Sequence, residues 1–583
     1  MTTVDAIVLA GGRATRMGGV DKPAIIVGGR PMLTAALEAT AGCLRRVVVG
    51  PPRPELTSEI GQVQEVPAGA GPVAAVAAGM DALAEHDYPA DLVVVLAADL
   101  PFLSTGVIDE LVAQTTSSGA AAAFATDDSG RAQYLVGVWR RTALVAALQR
   151  LESVADQPMK ALVPDDALLV RSAGVADCDT PEQARAAQAA APPLPLARAR
   201  VVLHTEITGI PVREATLAAA RGAALAAPLR AGEALPRFDV SAMDGYAVAG
   251  SAPWRLRDEI GFAGGERAAG LRNGEAVRIA TGAHIPDGTD TVVRDEYVRL
   301  DNGVVHRLPD APVRDDVRRR GEDWLPGDVV AAAGTPVSSA LISVAASAEI
   351  TAHQVRGPVR ARIVMTGDEI RADGPLRSGQ TRDSLGPVLP DLLSWHGIET
   401  TGRIHLRDTA HGFDDILSGS SRTGPVDTDD LLVVVGATGG GAADQLRGAL
   451  DRAQARILLH RLWMRPGGST VVAELSGGPV VLGLPGNPFA AVATLSALTP
   501  AIVSGLTGRR PARPLCGPLH NGAAIAGPVP RIVPARAAED GGWFGDPNIR
   551  TAHLAGLLGR EGLVVVPAGA TDGDQVEFLA LPG

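Results

Sequence analysis

Short apolar runs at residues 6–10, 47–50 and 92–97 are each bounded by Gly, Pro or Asp, and alanine-rich stretches with helical character separate them. This alternation is typical of βαβ units, in which helices cover both faces of a mostly parallel sheet. Ligands of such sheets bind at the carboxyl ends of the strands. We therefore predict an α/β domain in the first 190 residues, with its site just after Leu9 and Leu96.

Further domains follow, because 583 residues exceed what one hydrophobic core normally holds. An Ala/Pro-rich stretch predicts a semi-rigid linker at residues 191–200, after a first domain of residues 1–190. Short strand-like pieces and many glycines predict β-rich subdomains over residues 201–357. The βα alternation returns in residues 358–510, which predicts a three-layer α/β/α domain. Short strands with turns predict a small C-terminal β-domain in residues 511–583.

The composition argues against several classes of protein. The formal net charge of −12 argues against a general nucleic-acid or membrane-surface binder, since both need a basic face. The three cysteines lie far apart without a CxxC pair, so we expect neither a disulfide framework nor a zinc site. The first residues lack the basic and apolar regions of a signal peptide, and we expect no transmembrane span. A cytoplasmic location is therefore expected.

The segment LAGGRATRMGGVDK follows the first predicted strand. Gly11 and Gly12 let the backbone turn sharply, so that its N–H groups can face an anion. Arg16 and Lys22 place positive charge where a triphosphate would lie. Lys22 is one of only two lysines in the chain, the other being Lys160. For a bare GG turn, solvated basic residues would be the simpler interpretation.

As a whole, this string resembles the signature of the molybdenum cofactor guanylyltransferases, the MobA-like branch of the nucleotidyltransferases. The resemblance implies a nucleotidyltransferase domain with a Rossmann-like sheet. It also implies that this domain transfers GMP from GTP to molybdopterin and releases pyrophosphate. AGPVAAVAAGM resembles the family's glycine turn near the base and ribose. The preference for guanine rests on the strings LAGG and RMGG. Two other strings depart from the family: PPRP, and QEVPAGAGP, in which Glu65 is the only acid. The nucleotide-binding residues implied are Leu9, Ala10, Gly11, Gly12, Arg16, Lys22, Gly71 and Pro72.

Asp99 lies in AADLPFL, directly after the predicted strand at residues 92–97. The resemblance implies that Asp99 is the family's metal-binding aspartate. A carboxylate at this strand end can hold Mg²⁺ against the α-phosphate as pyrophosphate leaves. The alternative role is an N-cap for the helix after Pro101. We favour the metal ligand because Asp99 and the glycine loop fall at adjacent strand ends.

Five further strings lie in order along the C-terminal half: FDVSAMDGYAV, RIATGAHIPDGTDTVVRDE, RRRGEDWLPGDVVAAAGT, MTGDEI and LGLPGNP. Together they resemble the molybdopterin molybdenumtransferases, the MoeA-like family. The resemblance implies a homodimer whose active site joins the β-rich domain of one subunit to the α/β domain of the other. It also implies that molybdate is inserted into adenylylated molybdopterin and that AMP is released.

The resemblance also implies the site residues of this half. The PGNP loop offers backbone N–H groups to an oxyanion, and its prolines fix its shape. Carboxylates can hold Mg²⁺ or carry protons while molybdate oxygens leave as water, although Asp244 alone would also suit the capping of a local turn. The residues implied to bind molybdopterin or molybdate are Asp244, Thr281, Asp408, Arg465, Pro485, Gly486, Asn487 and Pro488. The catalytic residues implied for the whole chain are Lys22, Asp99, Asp244, Glu296 and Asp444.

The C-terminal half departs from its family at anion-binding positions. The family's FDNSAMDG has Val240 in place of the asparagine, and GGVSVGDYD reads GATGGGAAD, which keeps only the final Asp444. The family's KPGKP reads RPGGS, so that Arg465 replaces one lysine and Gly468 removes the other charge. Each lost cationic hydrogen bond weakens oxyanion binding by roughly 1.5–3 kcal/mol.

Two functional hypotheses follow. In the first, the chain is a bifunctional enzyme that makes the metal-loaded pterin and then attaches GMP to it, with molybdoenzymes or cofactor chaperones as recipients. In the second, only the guanylyltransferase half is catalytic, and the C-terminal half is a degenerate pterin-binding and dimerisation scaffold. A transferase for a sugar phosphate or an isoprenoid is a third possibility, which the C-terminal resemblance disfavours.

Overall fold

A computed structural model describes residues 2–11, 21–84, 89–407, 409, 411–418, 429–439 and 445–582. Four of the predicted site residues lie outside these ranges, namely Gly12, Arg16, Asp408 and Asp444.

The N-terminal domain is built on one large sheet. Its strands are β1 (Val4–Leu9), β4 (Arg45–Val49), β5 (Ile60–Val63), β6 (Leu92–Ala97), β7 (Ala122–Thr126), β8 (Ala132–Arg140) and β9 (Leu168–Arg171), and a separate hairpin consists of β2 (Ile26–Val27) and β3 (Arg30–Pro31). The order in the sheet is β5-β4-β1-β6-β8-β7-β9. β1 runs parallel to β4 and to β6, whereas β8 runs antiparallel to β6 and to β7. The carboxyl ends of β4, β1 and β6 therefore meet at one edge.

Helices cover both faces of this sheet. They are α1 (Met32–Ala39), α2 (Pro72–Ala84), α3 (Thr105–Ser118), α4 (Arg141–Gln149) and α5 (Pro181–Ala190), with 3-10 turns at Lys22–Ala24 and Met159–Leu162. Val73 of α2 and Leu144 of α4 are buried with Ile7 on one face. Leu111 of α3 is buried with Ala6 on the other face. β6 is buried along its whole length, as expected for a strand covered on both sides, and the predicted α/β sheet is confirmed.

Half of the segment predicted as a linker is helical. Helix α6 (Leu196–Glu206) begins inside residues 191–200 and buries Leu196, Ala199, Val202 and Leu203. Its Arg200 donates to the carbonyl oxygen of Ala497 over 2.7 Å. The Pro-rich composition predicted a spacer, but this apolar helix face is buried in the core of the second α/β domain, and that packing determines its structure.

The β-rich part consists of several small sheets. Its strands are β10 (Arg213–Thr216), β11 (Ala224–Leu225), β12 (Leu229–Arg230), β13 (Val240–Ser241), β14 (Gly245–Val248), β15 (Trp254–Gly261), β16 (Glu275–Ile279), β17 (Thr291–Arg294), β18 (Val298–Asp301), β19 (Val304–Arg307), β20 (Val317–Arg318), β21 (Val329–Ala331) and β22 (Ala352–Arg356). The largest sheet has the order β17-β14-β16-β15-β19-β18, and the others are β10-β22-β11, β12-β21 and β13-β20. Helix α7 (Ser339–Ser347) and a 3-10 turn at Asp295–Tyr297 complete this part.

The second α/β domain repeats the layered design. Its strands are β23 (Val359–Thr366), β24 (Ile370–Arg371), β25 (Thr381–Arg382), β26 (Ile398–Leu406), β27 (Leu431–Val435), β28 (Arg456–Leu459), β29 (Val471–Glu474) and β30 (Val480–Leu484), and its helices are α8 (Leu389–Trp395), α9 (Asp414–Leu417), α10 (Gln445–Arg452) and α11 (Pro488–Thr507). The main sheet has the order β26-β23-β27-β30-β29-β28, and β24 pairs with β25. The first four strands of the main sheet are parallel, and β29 is antiparallel to both of its neighbours.

Helix α11 corrects one expectation. We expected no segment of membrane-spanning length, but α11 is long and apolar enough to cross a membrane by length and composition. Within the fold, 89% of this apolar window is buried, and Leu495, Leu498 and Ile502 are fully covered. An all-round apolar helix of this kind is the expected central helix of a large core.

The chain ends in a β-domain, as predicted. Its strands are β31 (Leu515–Pro518), β32 (Arg531–Ala537), β33 (Trp543–Gly545), β34 (Gly562–Val566) and β35 (Gln575–Ala580), with helix α12 (Gly522–Ile525) and a 3-10 turn at Ala555–Leu557. The five strands have the order β31-β35-β34-β32-β33 and pair antiparallel throughout.

Candidate functional site

The first candidate site lies at the carboxyl edge of the N-terminal sheet. The N–H of Ala10 donates to Val49 over 2.8 Å, and the carbonyl oxygen of Leu9 accepts from Ala98 over 3.0 Å. A Cβ on Gly11 would lie 3.6 Å from the Cα of Gly50. The structure therefore brings the predicted Leu9, Ala10 and Gly11 to the strand end beside the segment that carries Asp99.

Lys22 is held between two carboxylates at this edge. Its ammonium donates to Asp99 Oδ2, and to Asp179 Oδ1 over 2.7 Å. The Lys22 and Asp99 side chains are only 17% and 19% exposed. Burial by itself lowers the pKa of Lys22, but the carboxylates of Asp99 and Asp179 outweigh it and hold that pKa above its usual value. Lys22 is therefore positively charged at neutral pH at the predicted triphosphate site.

The second carboxylate oxygen of Asp99 is not bonded to Lys22. In the part of the chain that the structure describes, Asp99 Oδ1 is buried and has no hydrogen-bond partner. The alternative role as an N-cap is not observed, because α3 begins at Thr105 with Ser104 as its N-cap residue. The described residues contain no group of three or more His, Cys, Asp or Glu side chains arranged to hold a metal ion. Among these residues, Asp99 is therefore not part of a complete metal site.

Asp177 and Asp179 are functional candidates that the sequence reasoning did not include. Both belong to DCDTPEQ, and the N–H groups of Asp179 and Thr180 donate to the side chain of Gln183 over 2.7 and 2.9 Å. Burial, together with the neighbouring carboxylates of Asp179 and Asp99, raises the pKa of Asp177. Acidic residues on both sides of a Thr-Pro capping motif were the available signal.

Arg53 and Glu65 belong to PPRP and QEVPAGAGP, the two strings that depart from the family at this edge. Arg53, which is 5% exposed, donates to both oxygens of Asp21 over 2.9 and 2.8 Å and so holds the residue before Lys22. Glu65 is 6% exposed, and its Oε1 accepts from the N–H of Gly69 over 2.9 Å. Among the described residues, Glu65 Oε2 is buried without a partner.

Glu65 lies close to the loop after β1 and bonds to the predicted glycine turn. A Cβ on Gly11 would lie 3.7 Å from Glu65 Oε1, so this carboxylate is beside the predicted nucleotide loop. Gly71 adopts a φ of +94°, a conformation that favours glycine, and Pro72 begins α2. The N–H of Asp156 donates to Ala70 over 2.7 Å and braces this turn from the outside.

In the β-rich part, Asp244 and Thr281 are in direct contact. Asp244 Oδ1 accepts from the N–H of Thr281 over 2.7 Å and from its hydroxyl over 3.1 Å. These bonds, the one from the backbone first, hold the pKa of Asp244 below its usual range. Asp244 therefore ties two predicted strings together across 37 residues rather than capping its own turn.

Glu296 lies in a turn that is anchored to the same place. The N–H of Asp295 donates to the carbonyl oxygen of Asp244 over 3.3 Å. Glu296 Oε1 lies 3.6 Å from Arg294, whose guanidinium also makes two bonds of 2.8 Å to Asp316. The structure thus brings the turn of Glu296 next to Asp244 and Thr281.

The second α/β domain presents the PGNP loop at its carboxyl edge. β30 ends at Leu484, and Asn487 is the N-cap residue of α11, which begins at Pro488. The N–H of Gly436 donates to Leu484 over 3.0 Å, and a Cβ on Gly486 would lie 3.7 Å from the Cα of Gly436. The predicted Pro485–Pro488 loop therefore lies at the positive end of a long helix, where an oxyanion is stabilised.

Arg465 lines a cleft between this domain and the C-terminal β-domain. Its N–H donates to Pro530 over 2.9 Å, and the cleft of about 470 Å³ is also lined by Arg531 and Thr551. The carbonyl oxygen of Thr551 accepts from the N–H of Phe489 over 3.1 Å, which brings the start of α11 beside the cleft. Arg465 thus lines a cleft whose Thr551 contacts the first turn of α11.

The two groups of C-terminal site residues lie in different domains. Asp244, Thr281 and Glu296 belong to the loops of the largest β-rich sheet, and the PGNP loop and Arg465 belong to the second α/β domain. Over the described ranges, no hydrogen bond or ion pair joins the two groups.

Three family models match the chain in order. "MobA-like NTP transferase domain" matches residues 6–167, "MoeA N-terminal region (domain I and II)" matches residues 180–348, and "Probable molybdopterin binding domain" matches residues 362–503. The fold and these matches define a transferase in which a nucleotidyltransferase domain precedes a molybdopterin-binding module.

Curated relatives show the family of the larger part. A molybdopterin molybdenumtransferase from Nostoc sp. is 31% identical over 302 residues, which are 50% of this chain and 68% of that protein. One from Staphylococcus epidermidis is 26% identical over 388 residues, 65% of this chain and 86% of that protein. The chain belongs to the molybdopterin molybdenumtransferase family, carries an additional MobA-like nucleotidyltransferase domain at its N-terminal end, and acts in molybdenum cofactor biosynthesis.

A solved structure agrees with the fold of this part. The molybdopterin biosynthesis moeA protein from Pyrococcus horikoshii covers 67% of this chain and 100% of its own, with a TM-score of 0.54 and 19% identity. At this identity the likeness shows the fold alone.

Proposed function

We propose that both halves are catalytic. The C-terminal half inserts molybdate into adenylylated molybdopterin and releases AMP, and the N-terminal half transfers GMP from GTP to the metal-loaded pterin and releases pyrophosphate. The observation that carries the proposal for the N-terminal half is Lys22, which is half-buried and charged beside Asp99 at the carboxyl edge of a parallel sheet. A retained cation at this edge is what a triphosphate substrate requires.

In the N-terminal half, the chain's own groups bind and orient GTP. The N–H of Gly11 faces the phosphates, and Lys22 contacts the triphosphate while Asp99 and Asp179 hold its ammonium. Asp99 Oδ1, which is buried without a partner among the described residues, is the oxygen that would hold Mg²⁺. When bound there, Mg²⁺ neutralises charge on the α-phosphate as pyrophosphate departs.

Glu65 supports guanine as the base. Its Oε2 is a buried acceptor with no partner in the described part of the chain, and its Oε1 accepts from Gly69 in the glycine turn that the family resemblance places near the base. Guanine carries N–H donors at N1 and N2, whereas the ring nitrogen of cytosine at the matching edge is an acceptor. A site that supplies a buried acceptor therefore favours GTP and rejects CTP.

In the C-terminal half, oxyanion binding and proton transfer are divided between two domains. The N–H groups of the PGNP loop and the guanidinium of Arg465 hold molybdate, while Asp244 and Glu296 face the oxygens that leave as water. No described contact joins these groups within one chain. We therefore propose a homodimer in which the β-rich domain of one subunit completes the site of the other.

Two half-reactions test the proposal on the full-length chain. AMP release is measured with adenylylated molybdopterin and molybdate, and pyrophosphate release is measured with GTP or CTP and metal-loaded pterin. We expect Asp244→Asn to abolish AMP release and spare pyrophosphate release, and Asp99→Asn to do the reverse. A wild-type chain that binds pterin without releasing AMP would establish the scaffold function for the C-terminal half.

The nucleotide is tested in the same assay. We expect at least a hundredfold higher kcat/KM for GTP than for CTP, because rejection of an unpaired buried polar group is strong, and we expect Glu65→Gln to narrow that ratio. Equal rates with both nucleotides would contradict the assignment of guanine. We further propose that the enzyme works in the cytoplasm and that molybdoenzymes or cofactor chaperones receive its product.

A further inference from the structure

The nucleotidyltransferase domain is joined to the molybdopterin-binding domain by backbone pairing. The N–H of Leu194 donates to Arg461 over 3.0 Å, and its carbonyl oxygen accepts from the N–H of Trp463 over 2.7 Å. Leu194 and Leu462 thereby form a parallel β-bridge. Since both backbone groups of Leu194 are used, this part of the connection is a short strand of the second α/β domain rather than a free tether.

The side chain of Leu194 contacts the nucleotidyltransferase domain from below its hairpin. A Cβ on Gly29, which has a φ of +75°, would lie only 2.4 Å from Leu194 Cδ1. The N–H of Gly28 donates to the side chain of Gln188 over 2.8 Å. The turn between β2 and β3 therefore closes directly over Leu194, and a glycine is required there for both conformation and space.

Ile26 of this hairpin belongs to the hydrophobic core of the other domain. It is 4% exposed and is buried in one cluster with Leu194, Leu462 and Met464. Packed interiors of this kind transmit displacement, because they contain few voids into which a side chain can move. A shift of the hairpin therefore displaces the residues around Leu462.

This shared core lies between the two candidate sites. Ile26 follows Lys22 by four residues, a path of at most about 14 Å, and Leu462 precedes Arg465 by three residues, at most about 11 Å. Pro23 restricts the first path, since its φ is fixed. The N–H of Leu462 donates to Gly468 over 3.2 Å and so connects the second path to the RPGGS loop.

We propose that Leu194 is a positioning residue for guanylyl transfer. It keeps the Lys22 segment and the Arg465 loop in a fixed relation, so that the molybdopterin-binding domain presents the metal-loaded pterin to the guanylyltransferase site of the same chain. This inference rests on the proposed function, because the product of one half is the acceptor of the other. Leu194 touches neither substrate and acts through the hairpin and the 461–464 segment.

Paired glycine variants test the proposal in the full-length chain. Gly29→Ala forces Leu194 to move, whereas Gly28→Ala has similar backbone strain, at a φ of +60°, but meets only Ala191 Cβ at 3.6 Å. Leu194→Ala removes the side chain, and Leu194→Met restores a side chain of similar volume. Two measurements are made: hydrogen exchange at the Leu194 and Trp463 amides without ligand, and KM for GTP and for metal-loaded pterin.

We expect Gly29→Ala and Leu194→Ala to exchange both amides at least tenfold faster than wild type. In both variants KM for the pterin rises at least tenfold, while KM for GTP stays within twofold, because GTP is bound by the N-terminal domain alone. Gly28→Ala and Leu194→Met stay close to wild type. A merely structural role would lower the amount of active enzyme and leave both KM values unchanged.

Unchanged exchange at Trp463 in Gly29→Ala and Leu194→Ala would overturn the docking by Leu194. Faster exchange with an unchanged KM for the pterin would overturn the positioning role. If the wild-type chain shows no guanylyl transfer, both the proposed function and the positioning role are wrong. The exchange rates would then still show whether Leu194 docks the two domains.

Discussion

Replacement of Asp99 by asparagine is the most direct perturbation of the N-terminal site. The change keeps the shape of the side chain and removes its charge. Asp99 Oδ2 accepts from the Lys22 ammonium, and Oδ1 is buried with no partner among the described residues, ready to face a cation. The bond from Lys22 falls from a charged to a neutral hydrogen bond, and the contact of Oδ1 with a cation loses the carboxylate charge. We assign each change a loss of about 1–1.5 kcal/mol.

The two losses together amount to about 2–3 kcal/mol, which predicts a kcat/KM that is about 30- to 150-fold lower in Asp99→Asn. The assay is pyrophosphate release at saturating Mg²⁺ and metal-loaded pterin, with GTP varied. Asp91→Asn is the matched control, because Asp91 lies just before the amino end of β6 and its carboxylate accepts from Thr3 at the surface. If folded Asp99→Asn keeps more than a third of the wild-type kcat/KM, the reasoning is wrong.

Three further predictions concern stability, pH and anion binding. Asp5 is fully buried and forms ion pairs with both Arg45 and Arg141. Asp5→Ala should therefore destabilise the N-terminal domain by about 3–5 kcal/mol in urea denaturation. A change in the free energy of unfolding below about 1 kcal/mol would contradict this. Burial lowers the pKa of His396 to about 4, so as the pH falls the unfolded chain binds a proton at this residue before the folded chain does. The free energy of unfolding should therefore fall by roughly 3 kcal/mol between about pH 6.5 and pH 4. His396→Gln should lose this pH dependence in thermal denaturation. A Cβ on Gly468 would have its nearest atoms at 3.4 Å, so Gly468→Lys should fold. The added charge should make molybdate bind at least about tenfold more tightly, as measured by calorimetric titration. Unchanged affinity would show that this position does not face the anion.

Much of the layered architecture was predictable because its signals are local. The run at residues 92–97 became β6 with the same bounds, and the run at residues 6–10 became Val4–Leu9. Strands that are buried on both faces need a continuous apolar sequence, and glycine or proline ends them. The position of Asp99 after β6 follows from the same pattern.

The connection between the halves was not predictable in the same way. Alanine and proline favour a spacer by composition, yet Leu194 pairs with the 461–463 segment, and Leu196 begins a buried helix. The partners of this segment are about 267 residues away along the chain, from Leu194 to Arg461. The structure of a short apolar segment depends on the residues that pack against it. When those residues are distant in the sequence, no local pattern predicts them.

The sequence by itself determined where the reactive groups stand on their own elements: Lys22 after a glycine loop, Asp99 after a buried strand, and the PGNP loop before a long helix. These placements depend on backbone conformation and apolar periodicity, which neighbouring residues specify. Only the tertiary structure decided which groups meet. Lys22 pairs with Asp99 and Asp179, which are 77 and 157 residues away. These charged side chains lie in a 3-10 turn and in loops, and they meet only when the whole domain packs around one sheet, which the core as a whole determines.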